Sequence, residues 1–253
     1  MKVSLTLVAA ASLAALSGIP IAASAAGSVR NVVLVHGAFA DGSGWKPVAD
    51  ILRKDGYTIS IVQEPETSLA DDVTATKRIL DRLSGQAVLV GHSYGGAVIT
   101  EAGDDPHVAS LVYVAAFAPD VGEKLGPLTG SMPPAAANSI VPTADGYLLV
   151  DPAKFPSDFA ADVPLAEARF MAISQVPVNS TSFGTPITSA AWKAKPTFGI
   201  VATQDRMINP NLERSMYKRA DAKVTEIKGS HAIFLSQPHA VAKVIEEAAH
   251  SAG

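Results

Sequence analysis

The sequence of 253 residues contains no cysteine. It therefore has no thiol nucleophile, no thiolate metal site, no disulfide and no lipidated cysteine of the bacterial lipoprotein type. Blocks of lysine or arginine are also missing, and the formal net charge is −4, so no nucleic-acid-binding surface is expected. No internal repeat is visible. These absences exclude several classes of protein and leave an ordinary globular chain.

The chain is long and apolar enough to bury a large core. It is 48% hydrophobic and 17% charged. At this length and composition we expect one globular domain, with room for a small insertion.

The first 25 residues have a pattern of their own. Lys2 precedes an apolar run over residues 5–16, and residues 23–25 read Ala-Ser-Ala. This order is typical of a secretory signal peptide, with cleavage expected after Ala25. Removal would take away one positive charge and leave a net charge of −5. The alternative, a retained membrane anchor, is less favoured because polar residues and a proline interrupt the apolar run. We therefore expect a secreted or periplasmic protein without stable membrane association after processing.

The most informative stretch lies at residues 87–98. An apolar strand pattern over residues 87–90 runs into Gly-His-Ser-Tyr-Gly at residues 91–95, and a helix of small residues follows at once. Glycines on both sides of Ser93 allow a sharp turn, which would project the serine hydroxyl above the sheet edge beside a helix N-terminus. The same pentapeptide also occurs in ordinary strand-to-helix turns, so a catalytic interpretation needs a base, an acid and oxyanion donors elsewhere.

Strand and helix patterns alternate through most of the chain, which predicts an α/β fold. Near-continuous apolar runs indicate a mostly parallel sheet covered by helices on both faces, with right-handed crossovers. Ligands bind such sheets at the carboxyl ends of the strands. The predicted strands cover residues 31–37, 57–62, 87–90, 108–115, 196–203 and 223–228.

Helix starts are indicated by capping residues. Ser43 is expected to cap a helix over residues 45–54, and Ser68 to cap another. Asp71 and Asp72 would lie in the first turn of that second helix, where a negative charge suits the helix dipole.

Residues 119–190, called the cap below, lack this regularity. They are rich in proline, serine, alanine and glycine, with scattered aromatic residues. A structureless loop of this length is improbable in a compact domain, so we expect an insertion with a helix over residues 165–174. Disorder is the alternative, but the aromatic residues argue against it. The core would then consist of residues 26–118 and 191–253.

Four features follow predicted strands and would meet at one sheet edge. They are residues 36–39, Ser93, Asp205 and His231. A serine hydroxyl needs a base, and histidine, with a pKa of about 6.5, can take its proton at neutral pH and return it. An ionised aspartate holds the imidazole tautomer. We therefore interpret Ser93, His231 and Asp205 as a catalytic triad.

Other candidates for these roles are weaker. Asp221 precedes a strand rather than following one, and His239 lies just inside the final helix. His36 is interpreted as a structural residue that orients the neighbouring loop, and His92 as a packing and turn-shaping residue. Two further histidines lie in helix or solvent contexts: His107 and His250.

The order Ser93, Asp205, His231 resembles the α/β-hydrolase fold family over essentially the whole mature chain. The Val-His-Gly-Ala-Phe-Ala-Asp-Gly-Ser-Gly-Trp segment at residues 35–45 is similar to the oxyanion loop of a small-cap branch. That branch holds plant methyl esterases, hydroxynitrile lyases and pyrethroid-type carboxylesterases. The resemblance implies that the oxyanion is bound by two main-chain N–H groups, those of Ala38 and Tyr94. We expect Phe39 and Ile233 to wall the substrate pocket; Phe39 is also an alternative donor.

The sequence departs from the lyases of that branch, which carry a threonine and a lysine where this chain has Gly37 and Ala232. A carboxylate nucleophile, as in dehalogenases and epoxide hydrolases of this fold, is replaced by Ser93. The expected function is hydrolysis of small to medium apolar carboxylic esters, without metal or organic cofactor. The alternatives are C–C hydrolysis, cofactor-free perhydrolysis, lyase action, or a ligand receptor with vestigial hydrolysis. The ester specificity and the oligomeric state are left open.

Overall fold

The structure is a computed structural model that describes residues 1–2, 4 and 29–252. The apolar run of the predicted signal peptide and its cleavage site lie outside the described residues. Among the described helices, none has the length and apolar character needed to cross a membrane.

The chain alternates strands and helices, as the sequence predicts. The strands are β1 Asn31–Val35, β2 Thr58–Ile61, β3 Ala87–His92, β4 Val108–Val114, β5 Ile140–Pro142, β6 Tyr147–Val150, β7 Val178–Asn179, β8 Thr197–Ala202 and β9 Lys223–Ile227. The α-helices are α1 Lys46–Lys54, α2 Leu69–Leu80, α3 Gly95–Ala102, α4 Leu125–Ser131, α5 Phe155–Asp158, α6 Leu165–Ile173, α7 Thr181–Gly184, α8 Pro210–Arg219, α9 Ile233–Ser236 and α10 Pro238–Ser251.

The main sheet confirms the predicted α/β class. Its six strands are all parallel, in the order β2-β1-β3-β4-β8-β9. The central strand β3 is buried along its whole length, which explains its unbroken apolar sequence. Helices α1 and α10 pack together, and α2 packs against α3. The parallel register brings the carboxyl ends of β1, β3, β4, β8 and β9 to one edge, where the candidate residues lie.

The cap forms secondary structure of its own between β4 and β8. It contains helices α4 to α7 and an antiparallel sheet in the order β5-β6-β7. Its helix α6 agrees with the helix predicted over residues 165–174. Two buried aromatic rings, Phe155 and Phe159, stack at a centroid distance of 4.5 Å and carry the cap core towards the sheet edge. The domain boundaries proposed for the cap stay a prediction.

The N-terminal capping residue predicted for helix α1, Ser43, was wrong. The Asp41 side chain accepts a hydrogen bond from the Ser43 N–H at 2.6 Å and opens a 3-10 turn over Gly42–Trp45. Helix α1 begins after this turn, at Lys46. Aspartate outcompetes serine here because the glycine-rich loop lets its carboxylate fold back on the chain two residues later.

The N-terminal capping residue predicted for helix α2, Ser68, is confirmed. Ser68 Oγ accepts a hydrogen bond from the Asp71 N–H at 3.1 Å. Asn209 likewise caps α8 by accepting from the Asn211 N–H at 3.0 Å, with Pro210 at the first helical position.

Candidate active site

Ser93 occupies a strained turn between β3 and α3. Its φ is +53°, a left-handed conformation that non-glycine residues rarely adopt. The neighbouring glycines make the turn possible. A Cβ at Gly95 would lie 2.2 Å from the His36 carbonyl oxygen, and one at Gly91 would lie 2.5 Å from the Gly95 oxygen. The Gly-x-Ser-x-Gly spacing therefore has a steric cause in this fold.

The three residues predicted as a triad form a continuous chain of hydrogen bonds. His231 Nε2 lies 2.9 Å from Ser93 Oγ, and His231 Nδ1 lies 2.6 Å from Asp205 Oδ2. All three residues are buried. The other carboxylate oxygen, Asp205 Oδ1, accepts the N–H groups of Met207 and Ile208 at 2.7 and 2.9 Å. These bonds place the Nδ1 proton on the side of Asp205 and leave Nε2 free to accept the serine proton.

The two predicted oxyanion donors flank Ser93. Tyr94 follows it directly at the start of α3, and Ala38 lines the same cavity as Ser93. Neither main-chain N–H donates to another group in the described part of the chain. The next residue, Phe39, has a φ of +69°, which turns the loop after β1 back over the site.

His92 packs against His231 and forms a hydrogen bond with its main chain. Its Nε2–H donates to the His231 carbonyl oxygen at 3.0 Å, and the two ring centroids are 4.6 Å apart. Burial is the largest cause that lowers the pKa of His92 well below its ordinary value, so the ring is neutral. His92 therefore packs against His231, in agreement with the packing role predicted for it, and holds the His231 main chain through its hydrogen bond.

His36 ties two loops together. Its Nε2 accepts the Glu64 N–H at 3.0 Å, and its Nδ1–H points at the Gly37 carbonyl oxygen at 3.1 Å. Burial lowers the pKa of His36 as well. The ring thus connects the segment after β1 to the segment after β2.

Neither rival catalytic residue, Asp221 or His239, takes part in the hydrogen bonds around Ser93.

A mostly apolar cavity of about 280 Å³ opens onto Ser93 and His231. Its lining residues come from both the core and the cap: Ala38, Phe39, Ser93, Phe117, Gly126, Thr129, Pro134, Ala136, Ala137, Ile140, Leu148, Phe183, Met207, Ile208 and His231. Phe39 is in the wall, where the sequence places it.

The assignment of Ile233 to the pocket wall was wrong. Ile233 is fully buried at the start of α9 and is absent from the lining of the Ser93 cavity. Its side chain packs close to Gly229 instead. The one-turn helix α9 begins immediately after Ala232 and turns this side chain into the core.

Sequence reasoning missed the partner of the Tyr94 side chain. Tyr94 Oη donates to Asp72 Oδ2 at 2.6 Å, and the other oxygen of Asp72 accepts the Glu66 N–H at 2.8 Å. The sequence predicts Asp72 in the first turn of α2, and the structure confirms it there, but the side chain is buried and faces the strand-to-helix turn at residues 91–95, called the elbow below. Burial raises the pKa of Asp72 to about 6 and raises that of Tyr94 above its ordinary value.

Two buried carboxyl groups, Glu64 and Glu66, lie beside His36. Burial raises the pKa of Glu66 to about 9, so that this carboxyl holds a proton at neutral pH, and it raises the pKa of Glu64 well above its ordinary value. Their ligand atoms lie within 4.8 Å of His36 Nδ1, the spacing of a metal site. His36 Nδ1 carries the ring proton, however, because Nε2 accepts the Glu64 N–H. The chemistry of this donor set therefore does not suit a metal ion, because His36 Nδ1 offers no free lone pair. The four carboxyl oxygens of Glu64 and Glu66 have no hydrogen-bond partner among the described residues.

This combination of a parallel sheet, a serine in a strained strand-to-helix turn and a histidine–carboxylate pair at the same edge is that of an α/β hydrolase. The sequence profile described as the alpha/beta hydrolase family matches residues 32–244, and the chain belongs to that family.

The relatives of this chain include a named hydrolase and a named esterase. The pyrethroid hydrolase of Sphingobium wenxiniae is 28% identical over 253 residues, covering 87% of this chain and 88% of the relative. The carbendazim hydrolyzing esterase of a Nocardioides species is 38% identical over a shorter stretch of 112 residues, 38% of this chain and 46% of the relative.

Solved structures show the same fold. A pyrethroid hydrolase from Sphingobium faniae superposes with a TM-score of 0.73 at 26% identity, covering 87% of this chain and 97% of that one. Polyneuridine aldehyde esterase superposes with a TM-score of 0.74 over 87% of this chain and 98% of its own, at 16% identity. The second similarity concerns the fold alone.

Proposed function

We propose that the protein is a serine carboxylesterase that cleaves small to medium apolar carboxylic esters through an acyl-enzyme. The observation that carries the proposal is the Asp205–His231–Ser93 chain of hydrogen bonds, at 2.6 and 2.9 Å, beside an apolar cavity. The esterase name of one relative and the hydrolase name of the other support the reaction class.

In the proposed mechanism, Ser93 Oγ attacks the ester carbonyl carbon while His231 Nε2 takes the hydroxyl proton. Asp205 holds the imidazole and stabilises the imidazolium. The N–H groups of Ala38 and Tyr94 bind the oxyanion, and each such donor is worth roughly 3–4 kcal/mol in the transition state. His231 then protonates the leaving alcohol. Water, activated by the same imidazole, attacks the acyl-enzyme and releases the acid.

The cavity supports the proposed substrate class. Its volume of about 280 Å³ suits a compact ester, and its wall is formed largely by apolar side chains such as Phe117, Leu148 and Phe183. None of the residues lining it is a lysine, arginine, aspartate or glutamate, so no charged partner for an ionic substrate is offered by the described wall.

Lyase action is the alternative that the geometry disfavours most. A Cβ at Gly37 would lie 2.6 Å from Ser93 Cβ and 2.9 Å from the His92 ring. The hydroxyl-bearing side chain that hydroxynitrile lyases of the resembling branch carry there has no room. At the second diagnostic position, Ala232 is buried and has no ammonium group.

The proposal is tested with a panel of p-nitrophenyl esters of increasing acyl length and with Ser93→Ala. We expect turnover by the wild type and a loss of about 10⁴-fold or more in kcat for the variant. A phosphonate inhibitor should add one covalent equivalent to the wild type, mapped by mass spectrometry to Ser93, and none to Ser93→Ala.

Other outcomes would replace the proposal. Turnover that survives in Ser93→Ala would exclude the acyl-enzyme. No ester turnover, with C–C cleavage, peroxyacid formation or cyanohydrin cleavage instead, would assign another chemistry to the same site. If the wild type and Ser93→Ala both bind a ligand tightly and neither turns it over, the protein would be a ligand receptor.

A further inference from the structure

A second carboxyl group lies behind the proposed triad acid. Glu213, in the first turn of α8, is fully buried. Its Oε2 accepts the Ala202 N–H at 3.3 Å, while its Oε1 has no acceptable donor among the described residues. The Glu213 carboxyl is in hydrogen-bond contact with that of Asp205. A carboxylate oxygen can only accept, so this contact needs a proton on one of the two groups.

The surroundings decide which group holds the proton. Asp205 already accepts three N–H donors, from His231, Met207 and Ile208, so its oxygens act as acceptors. Glu213 has only the Ala202 N–H. Burial, then the Asp205 charge, raises the pKa of Glu213 well above its ordinary value.

The other polar groups near Glu213 do not neutralise it. Arg214, the next residue on α8, forms a two-pronged pair with Glu226 at the surface, at 2.8 Å for each bond. Tyr217, one turn further along α8, has its hydroxyl between the N–H and the carbonyl oxygen of Ala116, both at 2.9 Å. Neither side chain forms a hydrogen bond or an ion pair with the Glu213 carboxyl, and the Arg214 charge is the smallest influence on its pKa.

We propose that Glu213 is a positioning residue for the triad: it stays protonated and donates its O–H to the Asp205 carboxylate, which fixes the plane in which Asp205 accepts the His231 Nδ1–H. The inference rests on the proposed function. Glu213 touches neither Ser93 nor the substrate cavity, and it acts only through Asp205.

Two substitutions separate this role from a purely structural one. Glu213→Gln keeps a neutral donor, since the amide NH₂ can bond to Asp205 while the amide oxygen accepts the Ala202 N–H. Glu213→Met has a similar length but no donor. A matched control is Thr197→Val on β8, which removes a buried side-chain hydrogen bond to Lys195 O at the opposite end of the same strand.

The readouts are kcat and KM for the best p-nitrophenyl ester, the pH at the midpoint of the acidic limb of kcat/KM, and the downfield ¹H NMR signal of the His231 Nδ1–H. For Glu213→Met we expect kcat to fall about 10- to 100-fold with KM nearly unchanged, because a hydrogen bond to a charged group is lost. The midpoint should rise and the NMR signal should move. For Glu213→Gln, kcat should stay within about threefold of the wild type, with midpoint and signal in place. Thr197→Val should lower only the melting temperature.

Two results would overturn the proposal. If Glu213→Gln lowers the midpoint, a negative charge has been removed, and Glu213 was ionised. If Glu213→Met keeps the wild-type kcat, midpoint and NMR signal, the only role of Glu213 is to accept the hydrogen bond from the Ala202 N–H. Should Glu213→Met fail to fold, Glu213→Leu takes its place, and failure of both while Glu213→Gln folds normally would count as the structural result. Failure of the proposed function is a separate outcome, since it shows as absent ester turnover in the wild type, while the NMR signal still reports on Glu213.

Discussion

Tyr94 is held at two points, and this matters for the oxyanion site. Its main chain belongs to the elbow, next to Ser93, and its hydroxyl is bonded to Asp72 at 2.6 Å. Asp72 in turn accepts the Glu66 N–H and so connects the elbow to the segment after β2. A small displacement of the Tyr94 N–H would weaken its bond to a developing oxyanion, because such donors act through preorganised geometry.

Removing the Tyr94 hydroxyl should therefore cost both stability and rate. For Tyr94→Phe we expect a loss of about 1–3 kcal/mol in the free energy of unfolding, because the Asp72 carboxyl loses its buried partner. We also expect kcat to fall several-fold with KM nearly unchanged. Chemical denaturation and ester kinetics measure the two effects.

The control for this experiment is Tyr113→Phe. The Tyr113 hydroxyl is also buried and bonded, to Thr100 Oγ1 at 2.9 Å, but on β4 and α3 away from the cavity. It should lose stability and keep kcat. Equal kcat values for the two variants would show that the Tyr94–Asp72 bond does not position the oxyanion donor.

The side chains of the proposed triad could be predicted individually because each lies in the segment that follows a predicted strand. In a parallel sheet, that position alone brings Ser93, Asp205 and His231 to one edge. Asp72 and Glu213 could not be found in the same way. Each lies in the first turn of a helix, where an acidic residue is ordinarily explained by the helix dipole and solvent. Only tertiary packing reveals that both are buried.

At the scale of the secondary-structure elements, the cap contributes one wall of the cavity and is fastened close to the triad. Arg206, directly after Asp205, donates from Nε to Asp158 of the cap at 2.9 Å, and its carbonyl oxygen accepts the Ala136 N–H at 2.8 Å. Ser139 donates to the same Asp158 carboxylate. The cap and the loop that carries Asp205 and Arg206 therefore share a polar cluster. We expect this cluster to hold the cap in place relative to the proposed triad, so that the cap limits the size of the substrate.

Strand β6 offers a direct test of the cap's role in specificity. Leu148 lines the cavity, whereas Leu149 is the next residue on the strand and points to the opposite face. For Leu148→Ala we expect the ratio of kcat/KM for longer acyl chains to kcat/KM for shorter ones to rise, by roughly tenfold for every one or two added methylene groups. Competition between p-nitrophenyl butyrate and octanoate measures the shift.

Leu149→Ala is the matched control, since it removes the same group from the same strand on the other side. Its acyl preference should equal that of the wild type. If both variants, or neither, change the preference, the wall assigned to Leu148 is not the one that an acyl chain meets.

The elements of the core could be predicted to within a few residues, but most of the cap could not. The inner core strands β1, β3, β4 and β8 carry near-continuous apolar runs because helices cover both faces of the sheet. The cap strands β5 and β7 span only three and two residues, and β5 is exposed. Such short strands carry too little periodicity to be identified, whereas α6, with nine residues, was found.

For the whole molecule, export remains a proposal, carried by the residue pattern at positions 1–25. We expect a bacterial host that expresses the full chain to release a mature protein that begins at Ala26 and has a net charge of −5. Intact-mass and N-terminal analysis of the periplasmic fraction or medium tests this, with a chain that starts at Ala26 as the non-exported control. Full-length protein confined to the cytoplasm would contradict it.

Stability of the whole fold should depend on pH through its buried acids. The pKa of Glu66 is raised to about 9 by burial, so the folded state binds this proton where the unfolded chain, near its ordinary value of 4.5, has released it. The stability that Glu66 contributes is thus fully present below about pH 4.5 and is lost as pH rises towards 9. One such proton changes the free energy of unfolding by about 1.4 kcal/mol per pH unit. The melting temperature should therefore fall between pH 5.5 and 8.5, and Glu66→Gln, which cannot ionise, should reduce that slope. The exposed Glu167→Gln on α6 should leave the slope unchanged. A slope that Glu66→Gln leaves intact would place the responsible proton on another group.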